Sequence, residues 1–130
     1  MTVRITILLK KLDTISTEEF NYYWSQQHPS IFLSVPIVRQ NLTRYSQFHV
    51  DAAVTAGLAT HGLPVSPYDG GAEFWADSYE SAMAVFQDPE YLRVVVPDEQ
   101  KFLQREAAVL MVGYEEVKWE NGIAAEVVKI

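Results

Sequence analysis

The chain has 130 residues, of which 17 are acidic and 10 are basic, so its formal net charge is −7. This length suits one domain, residues 1–130, and is too short for two of ordinary size. The hydrophobic content of 48% excludes a wholly disordered chain. The negative charge argues against binding to nucleic acid or to an anionic membrane. The absence of cysteine excludes disulfides, a thiolate nucleophile and cysteine-ligated metal clusters.

The N-terminal region lacks the pattern of a targeting signal. The apolar stretch at residues 5–9 is too short for a signal-peptide core, and two lysines follow it where a cleavage site would need small residues. No run approaches the roughly 20 apolar residues that cross a bilayer. We therefore expect a cytoplasmic protein that does not associate with membranes.

The first predicted elements are a strand and a helix. Residues 3–7 alternate apolar and polar side chains and are rich in β-branched residues, which indicates a strand. Ser16 and Glu19 have the spacing of a capping box and predict the start of a helix. Pro29 lacks the N–H that would continue the helix, so we expect the helix to kink just after His28.

The middle of the chain predicts two further strands and a second helix. Residues 42–50 alternate again and favour a strand. Residues 51–71 contain several glycines and prolines and are interpreted as a long connection, which is usually functional or mobile. A third strand is predicted at residues 72–76. Asp77 and Glu80 then repeat the capping-box spacing and predict a helix that stops near residue 88.

The C-terminal third is less regular. Residues 90–96 favour a strand by propensity, although short apolar runs are ambiguous. A short helix is predicted from Pro97 through residue 103, followed by a strong strand at residues 108–117. Asn121 and Gly122 mark a turn, and the tail after it is expected to pair as an edge strand or to reach a partner.

The resulting order of strong elements is strand, helix, strand, strand, helix, strand. This order is the βαββαβ ferredoxin-like arrangement, an α+β fold with an antiparallel four-stranded sheet and helices on one face. Apolar and aromatic residues occur on both predicted sheet faces. We therefore expect the uncovered face to pack against a second copy of the chain, which makes the protein a homodimer.

His28 is the strongest candidate for catalysis. It follows Phe20 and Trp24 at helical intervals, so it belongs to the apolar stripe that faces the core. Burial would keep the imidazole neutral, which suits a general base near neutral pH. The alternative is a core histidine whose nitrogen is satisfied by a backbone carbonyl.

Tyr45 and His49 share one face of the second predicted strand. At about 3.3 Å per residue they would stand ~13 Å apart and could bracket a ligand. If that face met solvent instead, they would be ordinary surface residues. His61, in the glycine-rich connection, is interpreted as a solvated loop residue. Asp98 follows Pro97 and is interpreted first as a carboxylate at a helix terminus.

The aromatic residues are expected mostly in the core and in the interface between subunits, with a minority lining an aromatic-binding cavity. The four that we place against a substrate are Trp24, Phe74, Tyr23 and Phe86. The histidines show no short spacing typical of metal ligands, so we expect no metal and no cofactor. Phosphate-binding glycine loops and nucleophile elbows are also absent from the sequence.

Three blocks of the sequence resemble the signature of the EthD-domain family. The first comprises residues 10–11, 16–24 and 27–29, the second residues 68–70 and 74–78, and the third Asp98 with Phe102. The resemblance implies a dimeric α+β barrel. Relatives include cofactor-free enzymes that act on aromatic polyketides and ring lactones, and the chain looks like their fungal decarboxylase or dehydratase branch. Within this resemblance, His28 matches the helix-end histidine and Asp98 matches a recurring acidic position.

The preferred functional hypothesis is a cofactor-independent lyase, a decarboxylase or dehydratase, that acts on an aromatic polyketide such as an anthraquinone or anthrone precursor. His28 would act as general acid and base, and Tyr45 or His49 would donate to a developing enolate oxygen. The same cavity could serve a polyketide cyclase or a cofactor-free anthrone oxygenase. The alternative outside enzymology is a non-catalytic dimer that binds a small molecule.

Overall fold

The structure is a computed structural model, and it describes residues 2–125. A short π-helical turn (Tyr91–Val95) and a short 3₁₀ turn (Arg105–Ala107) supplement the regular helices and strands. The regular elements are, in chain order, β1 (Val3–Leu9), α1 (Thr17–Gln26), α2 (His28–Phe32), α3 (Pro36–Asn41), β2 (Leu42–His49), α4 (Ala52–Thr60), β3 (Gly70–Ala76), α5 (Tyr79–Gln87), α6 (Val96–Glu99), β4 (Val109–Gly113), β5 (Trp119–Glu120) and β6 (Ile123–Ala124).

Four strands form one antiparallel sheet in the order β2-β3-β1-β4. In the middle of the sheet, Ile5 of β1 stands opposite Phe74 of β3 and Val112 of β4. Both central strands thus present apolar side chains toward the helices. This topology confirms the predicted ferredoxin-like α+β fold.

The core lies between this sheet face and the helices. Phe20 and Trp24 of α1 are almost fully buried, as are Ile5 of β1 and Val85 of α5. The predicted capping box opens α1: Ser16 Oγ accepts a hydrogen bond from the Glu19 N–H at 3.0 Å, and Glu19 Oε1 accepts one from the Ser16 N–H at 3.4 Å. The apolar stripe of α1 therefore enters the core at a defined angle.

The first helix breaks close to Pro29 as predicted, but at Gln27 rather than just after His28. Helix α1 ends at Gln26 and α2 begins at His28, with Pro29 in its first turn. Because Pro29 has no N–H, the α1 hydrogen-bond ladder cannot continue through it. The junction places His28 at the start of a new helix, with its side chain in the core.

The connection between β2 and β3 differs from the prediction. It contains helix α4 (Ala52–Thr60), and the Asp51 side chain caps this helix by accepting from the Val54 N–H at 2.9 Å. Alanine dominates the segment and has the highest helix propensity, which outweighs the single glycine. The prediction of an irregular connection across residues 51–71 is therefore wrong, and β3 begins at Gly70 rather than at residue 72.

Two details around α5 also correct the sequence reading. The N-cap of α5 is Ser78, whose hydroxyl accepts from the Ser81 N–H at 3.1 Å, so Asp77 and Glu80 do not form the predicted capping box. The strand favoured at residues 90–96 is helical. Asp88 Oδ1 accepts from the N–H groups of Glu90 and Tyr91, which starts a helical turn and overrides the β-propensity of the valines.

The remaining C-terminal elements are shorter than predicted. Helix α6 ends at Glu99 instead of continuing to residue 103, and β4 covers only Val109–Gly113 of the predicted 108–117. Asn121 and Gly122 form the predicted turn, both at positive φ, and join β5 to β6 in a separate hairpin rather than an added edge strand. Residues 126–130, the end of the tail, lie outside the described residues.

No helix within residues 2–125 has the length and apolar character that crossing a membrane requires.

Candidate active site

A cavity of about 280 Å³ lies between the sheet and the helices. Five of the residues selected from the sequence line it, and they come from five separate elements: Trp24, His28, Tyr45, Phe74 and Phe86. The wall is mostly apolar and contains few polar groups, which is the usual anatomy of a small-molecule site. Its volume lies near the lower end of the roughly 300–1,000 Å³ range of ligand pockets, so the cavity suits a compact ligand.

His28 and Asp98 form a buried pair at this cavity. Asp98 Oδ2 lies 2.7 Å from His28 Nδ1, and both side chains are less than a tenth exposed. The pair joins the start of α2 to α6. A carboxylate bonded to one ring nitrogen holds the N–H on that nitrogen and leaves the other, Nε2, with a free lone pair in neutral imidazole. His28 is therefore set up to accept a proton at Nε2.

Tyr23 holds the other side of the same carboxylate. Its hydroxyl donates to Asp98 Oδ1, and Lys101 Nζ lies 3.8 Å from that oxygen. Burial, together with the hydrogen bond and charge of Asp98, raises the pKa of Tyr23 to about 12. Tyr23 consequently stays protonated and keeps donating. We expected Tyr23 to contact substrate, but the structure places it behind His28 and not in the cavity wall.

Tyr45 contributes a hydroxyl group to the cavity wall. Its hydroxyl oxygen accepts from Gln47 Nε2 at 2.8 Å, and the same nitrogen donates to the Trp24 carbonyl at 2.7 Å. The ring is stacked on Phe74, with centroids 5.3 Å apart and 5° between planes. Burial raises the pKa of Tyr45 to about 12. Because its oxygen already accepts from Gln47, the hydroxyl hydrogen is available to a ligand.

Phe32 stands at the centre of the aromatic wall, although the sequence analysis did not select it. Its ring centroid lies 5.0 Å from Tyr45, 5.5 Å from Phe74 and 6.0 Å from His28. It follows His28 by one helical turn, and that spacing was the signal that could have identified it. These aromatic contacts make Phe32 the side chain that connects His28 with Tyr45 and Phe74.

A second polar cluster in the wall was also missed. Tyr91 donates from its hydroxyl to Glu99 Oε2 at 2.7 Å, and Arg105 donates from Nε to Glu99 Oε1 at 2.9 Å. Burial and the adjacent Glu99 carboxylate raise the pKa of Tyr91 far above its ordinary value. Assigning residues 90–96 to a strand concealed the helical path that brings Tyr91 to Glu99.

His49 does not lie at the cavity. Its Nδ1 is 2.7 Å from Asn21 Oδ1, its Nε2 is 2.8 Å from Gln47 Oε1, and its ring packs 4.5 Å from that of Trp24. Burial lowers its pKa. The expectation that His49 and Tyr45 bracket a ligand is therefore wrong, because contacts with α1 hold the imidazole outside the cavity. His61 is exposed in the connection, as expected.

Among residues 2–125, no three His, Asp or Glu side chains come together in a way that could hold a metal ion.

The sheet topology and the cavity beneath the helices define a ferredoxin-like α+β protein with a partly buried site of small-molecule size. The sequence model of the EthD domain matches residues 12–106. The chain therefore belongs to the EthD domain family, as the three sequence blocks indicated. No curated protein matches the chain at a significant level.

Several solved structures share the fold at low sequence identity. An ethyl tert-butyl ether D (EthD) family protein from Bacillus halodurans is 17% identical, with a TM-score of 0.60 over 89% of this chain and all of that one. An EthD-like protein from Ralstonia eutropha is 13% identical, with a TM-score of 0.59 over 92% and 96%. A dimeric ferredoxin-like protein of unknown function from Thermobifida fusca is 17% identical, with a TM-score of 0.55 over 87% and 90%.

Proposed function

We propose that this chain is a cofactor-free enzyme that binds an aromatic substrate in the cavity and moves a proton with His28. The observation that carries the proposal is the buried His28–Asp98 pair, with a nitrogen–oxygen distance of 2.7 Å, in the wall of an aromatic-lined cavity. Asp98 orients the imidazole and stabilises the imidazolium that forms when Nε2 takes a proton. Tyr23 in turn holds Asp98 in place.

The substrate class that fits this site is a phenol or its enol precursor. A phenol can tautomerise to a ketone and serve as its own electron sink, so proton transfer alone can drive its reactions. Tyr45 would donate to the oxygen that gains negative charge, and one preorganised donor of this kind is worth about 3 kcal/mol. The cavity volume of about 280 Å³ favours a compact phenol over a long polycyclic one.

The proposed reaction class is that of a lyase. For decarboxylation, Nε2 of His28 takes the acidic proton of the substrate and returns it to the ring carbon that carries the carboxylate. The bond between that carbon and the carboxylate then breaks, and carbon dioxide leaves. The electron pair of the broken bond stays with the ring and restores its aromaticity. Dehydration would use the same proton transfers, with water as the leaving group. An aromatic polyketide supplies phenols of this type.

We further propose that the protein acts as a homodimer through the uncovered sheet face. Phe48 of β2 and Met111 of β4 are 61% and 66% exposed on that face. Trp75 lies there between the guanidinium groups of Arg4 and Arg44. Large apolar side chains this exposed on one sheet face are typical of an interaction surface, and two such sheets would close into a barrel. Similar proteins from Thermobifida fusca and Bacteroides fragilis are described as dimeric.

Hydrogen exchange into a simple phenol tests the proton transfer without knowledge of the natural substrate. Naphthoresorcinol exchanges its ring hydrogens in heavy water by protonation and deprotonation at carbon, which nuclear magnetic resonance follows directly. We expect the wild-type protein to accelerate this exchange. His28→Gln should lower the catalysed rate by roughly 10²–10⁴-fold, and Asp98→Asn should also lower it because the imidazole loses its orienting partner.

His61→Gln is the matched control, since His61 is exposed and lies in the α4 connection. It should retain the wild-type exchange rate. Near-wild-type exchange in folded His28→Gln would rule out the proposed base. Binding of naphthoresorcinol without any acceleration of exchange would instead favour a non-catalytic binding protein.

A further inference from the structure

Arg105 stands where the cavity meets solvent. It contributes to the cavity wall, yet its side chain is 43% exposed. Leu110 of edge strand β4 also lines the cavity and is 52% exposed. Because both residues line the cavity and are also partly exposed, we place the mouth of the cavity between the 3₁₀ turn and β4. A substrate that enters there passes a guanidinium group.

Glu99 fixes the direction of that guanidinium. Its Oε1 accepts from Arg105 Nε at 2.9 Å, while its Oε2 accepts from the Tyr91 hydroxyl at 2.7 Å. The Glu99 side chain is only 15% exposed, so this ion pair is better shielded than a typical surface pair. Arg105 uses Nε for its bond to Glu99. The two Nη groups lie on the other side of the guanidinium, and their N–H groups can donate to a ligand.

We propose that Arg105 binds the carboxylate of an aromatic acid at the cavity mouth and selects such acids over uncharged analogues. The Nη edge offers two parallel N–H donors, which match the two oxygens of a carboxylate. The inference rests on the proposed function only in that both place an aromatic ligand in this cavity. The chain as a whole carries a net charge of −7, so attraction of an acid depends on a local cation.

The carboxylate that Arg105 binds serves to position the ligand and is not the group that leaves in the reaction. Pairing with Arg105 stabilises the charged ground state, and this stabilisation would oppose the loss of that same group as carbon dioxide. The acid group at the mouth is therefore expected to remain on the product, while His28 acts on another part of the ring system.

Calorimetric titration of the full chain with naphthoic acid and with naphthamide tests this inference. The two probes share a ring system and differ in charge at neutral pH. We expect the wild-type protein to bind the acid at least tenfold more tightly than the amide. Arg105→Gln should abolish that preference and leave the amide Kd within twofold of wild type. Arg93→Gln is the control, because Arg93 is 72% exposed and pairs with Glu90 outside the cavity.

A salt series on the wild-type protein avoids the question of how well Arg105→Gln folds, and a second variant separates the charge of Arg105 from its geometry. Raising the salt concentration should weaken binding of the acid to the wild-type protein and leave the amide unaffected. Arg105→Lys keeps the positive charge but loses the two parallel N–H donors of the guanidinium, so it should retain only part of the preference for the acid over the amide.

Equal wild-type affinities for the two probes, or an equal loss for both in Arg105→Gln, would overturn the role of Arg105 and leave the proposed function of the cavity untouched. Failure of both probes to bind at all would contradict the proposed function of the cavity as well.

Discussion

Two consecutive carboxylates in α6 serve two different polar clusters. Asp98 accepts from Tyr23 and pairs with His28, whereas Glu99 accepts from Tyr91 and Arg105. Each carboxylate thus has a tyrosine hydroxyl and a basic nitrogen as partners. These separate partners pair the oxygens of both carboxylates, and burying two neighbouring carboxylates without such partners would destabilise the fold. One short helix therefore positions both a proton acceptor and a cation along the same cavity.

Tyr45 provides a prediction about alkaline stability. Its pKa is raised from 10.0 to about 12 in the folded protein, so the folded state holds this proton more tightly than the unfolded state. The resulting stabilisation is fully present below pH 10 and is lost as the pH rises toward 12. Urea unfolding of Tyr45→Phe should therefore show a smaller loss of stability across this range than the wild type.

Tyr22→Phe is the control for that series, because Tyr22 is 62% exposed. Its stability should follow the wild-type dependence on pH. Parallel curves for wild type and Tyr45→Phe would show that burial does not hold the Tyr45 proton.

The catalytic candidates illustrate what a single sequence reveals at the scale of residues. His28 could be placed on the inner stripe of a helix because its neighbours repeat at helical intervals, and it lines the cavity. Its partner Asp98 lies 70 residues away, and no local pattern indicates such a contact. His49 was misjudged because strand alternation gives the face of a residue but not the direction in which a ring turns at the strand end.

At the scale of elements, the start of β3 depends on a close approach to α1. A Cβ atom on Gly70 would lie 2.6 Å from Trp24 Cζ3 and 2.9 Å from the Phe48 carbonyl oxygen. The second of these neighbours is backbone and cannot simply rotate away. Gly70→Ala should therefore destabilise the fold by about 1–3 kcal/mol in urea unfolding, and it should also displace Trp24 in the cavity wall.

The adjacent glycine supplies the matched comparison. A Cβ on Gly71 would meet Phe48, Thr6 and Leu8 at 3.7–3.8 Å, which is ordinary contact distance. Gly71→Ala should consequently unfold close to the wild-type midpoint. Equal destabilisation by the two variants would show that loss of glycine itself, rather than the contact with Trp24, determines the cost.

The main elements were predictable where pattern and propensity agreed. Strands β1 and β2, the capped start of α1 and a break in the helix close to Pro29 all follow from alternation, capping spacing and a proline. The segment Tyr91–Val95 was not predictable in this way, because its β-branched residues favour a strand while the Asp88 cap and burial of Tyr91 and Val95 favour a helical turn. Tertiary packing overrides propensity in such short segments.

At the scale of the whole molecule, the proposed dimer depends on the exposed apolar side chains that the edge strands β2 and β4 carry on the uncovered sheet face. Phe48→Glu or Met111→Glu would place a carboxylate in that interface without disturbing the core, because both side chains are exposed in the single chain. We expect light scattering after size exclusion to report a dimer for wild type and a monomer for each variant.

Leu92→Glu is the control, since Leu92 is 50% exposed and lies in the helical segment rather than on the sheet face. It should remain dimeric. A wild-type protein that elutes as a monomer at micromolar concentration would contradict the proposed assembly.

The three tryptophans occupy three separate surroundings. Trp24 is 1% exposed in the cavity wall, Trp75 is 8% exposed between two arginines on the uncovered sheet face, and Trp119 is 73% exposed in the C-terminal hairpin. Variants that retain one indole each would convert the molecule into three fluorescent sensors. Emission from Trp24 would report ligand entry, that from Trp75 would report subunit association, and that from Trp119 would report contacts of the hairpin.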